Sequence, residues 1–62
     1  MNVILRGGPY DNTFVPERGQ DQVVMALEDG ELIGQAIYEK FDSHPHEAFF
    51  SHCEWLGVKQ PD

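Results

Sequence analysis

The side chains with the most chemical potential crowd the last third of this chain. His44, His46, His52 and Cys53 fall within ten residues, and imidazole and thiolate are zinc ligands. Strand geometry works against a shared ion. Neighbours on a strand point to opposite faces, so His52 and Cys53 diverge, and His46 and His52 stand about 20 Å apart along an extended run. The four are weak metal candidates, and no cofactor is expected. A nucleophilic Cys53 needs an adjacent base or a positive environment. With His52 directed away and Glu54 beside it, Cys53 reads as a small core residue near Trp55. No catalytic residue is assigned.

Two other groups carry charge in a pattern. Arg6-Gly7-Gly8 resembles the start of an anion cradle, but Pro9 removes an amide and no helix follows, as a phosphate loop requires. The two glycines read as turn geometry. Glu28, Asp29 and Glu31 surround a second turn. Carboxylates do acid–base work in desolvated clefts, and a hairpin tip is wet. Their expected use is to steer a partner.

Composition narrows the function classes. The 62 residues carry eleven acidic and four basic side chains, for a net charge of −7. Arg6, Arg18, Lys40 and Lys59 are scattered, and binding to nucleic acid or anionic membrane needs a concentrated positive footprint. One cysteine permits no internal disulfide, and no apolar run approaches a membrane span or signal peptide. The expectation is a single domain over 1–62 in a reducing cytoplasm. A domain this short buries only about 60% of its unfolded surface, so a partner or self-association is expected to contribute.

The elements that position these residues read as strands. Residues 2–6 and 13–16 form a pair joined by Gly7 to Asn12, and 17–22 make a polar loop. Val23 to Glu28 runs into Asp29-Gly30, a two-residue hairpin signal. This pairing sets Leu27 against Leu32, Met25 against Gly34, Val23 against Ala36, and Glu28 against Glu31. Leu32, Ile33, Ala36, Ile37 and Phe41 also form a helical stripe, so an α+β fold with residues 31–41 helical is the alternative. Residues 42–46 form a turn cluster. Ala48 to Leu56 is strand-like, with Phe49, Cys53 and Trp55 on one side and Phe50, His52, Glu54 and Leu56 on the other. Gly57 closes it, and Gln60-Pro61-Asp62 is a polar tail. The fold expected is all-β, a small meander of about five strands forming a curled sheet or SH3-like barrel.

The opening Val3-Ile4-Leu5-Arg6-Gly7-Gly8-Pro9-Tyr10-Asp11-Asn12 resembles a recurrent start, valine-x-leucine-arginine-glycine-glycine-proline-x-aspartate-glycine, of short uncharacterised proteins of actinobacteria and their bacteriophages. Tyr38 fills the place of a later-strand tyrosine in that group, and Trp55-Leu56-Gly57 that of its closing strand. Asn12 departs from the usual glycine, yet asparagine also tolerates positive φ. The resemblance covers about ten residues, implies a phage or prophage origin, and transfers no activity.

The functional expectation is a non-enzymatic acidic interaction module that binds a host protein in the bacterial cytoplasm. Tyr38, Phe50 and Leu56 are the expected apolar anchors, grouped on a spare sheet face, with Glu28, Asp29 and Glu31 steering encounter. The alternatives are a self-assembling subunit and a nucleic-acid mimic that inhibits a host DNA-binding protein.

Overall fold

The computed structural model describes residues 1–59, and all of its regular structure is strand. The polar tail at 60–62 lies outside the described residues. The strands are β1 (Asn2–Arg6), β2 (Phe14–Pro16), β3 (Gln22–Asp29), β4 (Leu32–Phe41) and β5 (His44–Val58). They form one sheet in the order β2-β1-β5-β4-β3, curled into a half-barrel. Three pairs are antiparallel, while β1 lies parallel to β5. The all-β curled sheet is thus the architecture. Among the described residues no helix is long and apolar enough to cross a membrane.

The helical alternative over 31–41 falls away because β4 is the strand between β5 and β3. Ala36, Ile37 and Tyr38 are buried in succession. Ile37 lies on the convex face between Val24 and His52 of the flanking strands, and apolar residues on both faces of a central strand mimic a helical stripe.

Two registers differ from expectation. Asp29 pairs with Leu32 and Leu27 with Gly34, so Gly30-Glu31 forms the turn. Gly30 adopts φ 61° there, the conformation a first central glycine supplies in hairpin turns. The shift is even, so every side chain keeps its face. Glu28 now lies opposite Ile33 rather than Glu31, which removes a like-charge pair. The second difference is a bulge in β5. Ile37 pairs with His52 but Tyr38 with Phe50, leaving Ser51 as an extra residue. One inserted residue inverts the alternation beyond it. Phe50 therefore shares its face with Cys53 and Trp55, while Phe49 turns to the other side. The turn cluster also contracts: Phe41 pairs with His44, so Asp42-Ser43 suffices.

The concave face holds the core. Val3, Leu5, Val23, Ala36, Tyr38 and Ala48 are buried, and Tyr10, Val15, Met25, Leu27 and Phe50 pack against them half-buried. Tyr38 is the largest fully buried side chain. Its hydroxyl donates to the Gly7 carbonyl at 2.6 Å and accepts from the Tyr10 amide at 2.9 Å. A buried hydroxyl left without partners costs about 1–3 kcal/mol, so this pairing fixes the loop over the core. Gly8 runs so close to the core that an added Cβ would lie 2.4 Å from Phe50 Cδ1. Tyr10 then crosses the concavity, and its hydroxyl donates to the Ala26 carbonyl of β3. The molecule is elongated, 42 Å by 18 by 17 Å.

Candidate protein-interaction surface

β5 is much longer than the strand beside it. β1 pairs with β5 only opposite Glu47, Ala48 and Phe49, and the loop that follows covers Tyr38 and Phe50. The concave face of β3, β4 and β5 continues past this cover toward the Gly30-Glu31 turn. There Met25 and Leu27 are half-buried, and Leu32, Trp55 and Val58 are 42%, 49% and 57% exposed. The apolar stripe that forms the core near Tyr38 thus runs out into solvent at the far end.

The indole of Trp55 packs directly on Gly34. An added Cβ there would sit 2.6 Å from Cε3 of the indole and 2.5 Å from the Glu54 carbonyl oxygen. Gly34 therefore acts by packing, since only a residue without a side chain lets the ring reach the sheet. Leu56, 64% exposed, is the extra residue of a second bulge, between the Gly34–Trp55 and Ile33–Gly57 pairs.

Carboxylates rim this end. Glu28, Asp29 and Glu31 are all exposed around the turn. Lys59 Nζ lies 2.9 Å from Glu28 Oε2, and its amide donates to the Glu31 carbonyl. On the convex face, Glu54 accepts from Gln35 Nε2 at 2.9 Å and lies 3.1 Å from His52 Nε2. These hydrogen bonds, Gln35 first and His52 second, hold its carboxyl below the ordinary carboxylate value.

Of the residues singled out in the sequence, Leu56, Glu28, Asp29 and Glu31 come together at this end. Tyr38 and Phe50 do not. Tyr38 is 0% exposed and Phe50 is half-buried against it, their rings edge-on at 5.5 Å. Both belong to the core, which corrects their placement as surface anchors. The bulge at Ser51 is the physical reason for Phe50, and the hydroxyl pairing with the Gly7 loop for Tyr38. Leu32, Trp55 and Val58 take their place as exposed apolar groups. Alternation groups Trp55 with Cys53 on one face, but only the length mismatch between β1 and β5 leaves that face open at Trp55.

The histidines and Cys53 are dispersed. His44 packs edge-on against Phe49 at 5.3 Å and bonds Ser43. His46 is exposed, and His52 is engaged by Ser51 and Glu54. Cys53 lies opposite Ala36, half-buried on the other face. Among the described residues no three metal-ligating side chains converge. The Arg6-Gly7-Gly8 loop is likewise occupied from within. Asp11 Oδ1 accepts the Gly7 amide at 2.7 Å, and Arg6 bonds Glu47 and Asn12 at 2.8 and 3.1 Å. A resident carboxylate on the cradle amide repels an anion there.

Comparison with protein-family models, with curated proteins and with solved structures gave no match. The functional reading rests on the geometry.

Proposed function

We propose that this chain is a non-enzymatic protein-interaction module that docks its uncovered distal face onto another protein. The observation that carries the reading is the apolar stripe Leu27, Leu32, Trp55 and Val58, continuous with the core, uncovered among the described residues, and rimmed by Glu28, Asp29 and Glu31. Exposed aromatic anchors within a charged rim are the composition of binding hot spots. Nucleic acid is disfavoured as a direct partner because Arg6, Lys40 and Lys59 are each neutralised by a carboxylate. The resemblance of the opening motif to short proteins of actinobacteria and their bacteriophages supports a host protein as the expected partner.

The test is affinity capture from a bacterial lysate, run beside a Trp55→Ser, Leu56→Ser double variant. A protein captured by the native chain and lost by the folded variant supports the reading. Equal capture by both overturns the assignment of the face.

A further inference from the structure

Resting on that reading, we propose how the partner engages the distal face: it adds an extended segment of alternating apolar and basic residues to the vacant lane beside β5. β1 occupies this lane only as far as the pair Arg6–Phe49. It then leaves at Gly7 and Gly8, whose φ of 82° and 65° turn the chain over Tyr38. From Ser51 to Val58 the outer edge of β5 has no partner strand among the described residues. An unpaired edge is a template for an incoming strand, which gains main-chain hydrogen bonds along it.

The side chains beside the lane specify the chemistry of that strand. Successive residues of an added strand face alternately to the two sides of the sheet. On the concave side they meet Cys53 and the half-exposed indole of Trp55. On the convex side they meet His52 and Glu54, whose carboxylate keeps 48% of its side chain exposed despite its two hydrogen bonds. Apolar side chains fit the first row and basic ones the second. The carboxylates at the turn extend the same anionic field to the end of the lane.

A second copy of this chain is the poorer occupant. Each copy carries a net charge of −7, and both would bring Glu54 and the acidic turn to the contact. The bulges at Ser51 and Leu56 also confine regular pairing to His52–Trp55, and bulges are a device by which edges resist self-pairing. A segment of opposite charge avoids the first obstacle, and its pairing is centred on the four residues His52–Trp55 between the bulges.

Trp55 is the single tryptophan, so its fluorescence reports occupancy directly. The probe is a peptide of alternating valine and lysine, about eight residues long, within the usual length of a strand. Saturable change in Trp55 emission is expected, with a valine–glutamate peptide about tenfold weaker or more. Two further valine–lysine peptides carry N-methyl groups on alternate amides, one on the odd and one on the even positions. Strand addition uses one set of amides, so one methylated peptide loses about tenfold in affinity and the other keeps it. In Glu54→Lys, an exposed change, the preference for the lysine peptide falls severalfold. Equal binding by both methylated peptides, or no binding of the lysine peptide, overturns strand addition. So does a dimer of the chain alone that shields Trp55. If strand addition fails while the lysate partner is still lost from the Trp55→Ser, Leu56→Ser variant, the docking face stands and only its mode is wrong.

Discussion

The two ends of this sheet share one apolar face and treat it differently. Around Tyr38 the face is closed by β1, β2 and the Gly7–Asn12 loop, and every polar group entering it is paired. Around Trp55 the same face has no lid among the described residues, and its apolar side chains stand about half exposed. The closed end is built from residues that satisfy one another: the Tyr38 hydroxyl, the Gly7 carbonyl, the Tyr10 amide and Asp11. The open end is built from large side chains on a long strand whose neighbour stops early. Burial at one end supplies the stability that lets the other remain uncovered, and the two should respond to substitution in opposite ways.

The largest stability effect is expected at the closed end. Tyr38→Ala removes the biggest buried side chain, and such truncations cost about 3–5 kcal/mol, enough to unfold a chain this small. Loss of the cooperative urea transition, read by circular dichroism, is the expected result. Tyr38→Phe is the sharper version. It strands the Gly7 carbonyl and the Tyr10 amide with little change in shape, at a cost of about 1–3 kcal/mol of stability, read as a lower urea midpoint. A native midpoint in that variant would mean that the loop is not held by the hydroxyl.

Gly34→Ala sits between the two regions. The added methyl cannot coexist with the indole in its present place, and overpacking of this kind costs about 1–3 kcal/mol. Trp55 emission should shift toward longer wavelength as the ring lifts from the sheet. Unchanged emission would contradict the close seat on Gly34.

At the open end the order reverses. Trp55→Ser loses only the buried half of the ring, about 2 kcal/mol of stability and less than Tyr38→Ala, while partner capture falls to background. A variant that keeps its partner would place the interface elsewhere.

The smallest effect is a pH dependence. Glu17 and Glu54 both have carboxyls held below their ordinary value of 4.5 in the folded chain. For Glu17 the Lys40 contact is the main cause, followed by the Gly19 amide. A carboxyl lowered on folding adds stability above its unfolded value and loses it as pH falls through the folded one. Urea midpoints should therefore be level at neutral pH and decline below about pH 4.5, with a shallower decline in a Glu17→Gln, Glu54→Gln variant.

Much of the fold was legible in the residues. The β-branched run at Val3 to Leu5, the Gly-Pro-Asp-Asn turn chemistry and the Asp29-Gly30 signal place four of the strand ends within a residue or two. These are local properties, carried by side-chain period and backbone preference. The exposure of the acidic turn was legible for the same reason, since a turn tip is exposed wherever the strands lead. Tyr38 and Phe50 were not. Their face depends on a bulge at Ser51 that has no local signature, and on a loop distant in sequence that closes over them.

Sequence alone determined the strands outside residues 31–41, the turns and the strong negative charge, because period, turn preference and ionisation are properties of short segments. The tertiary structure decided which aromatic residues are core and which are surface. It paired β1 in parallel with a strand more than forty residues away, stopped that pairing at Phe49, and so left Trp55 uncovered. No short segment contains that information, because it arises from where one strand ends beside another.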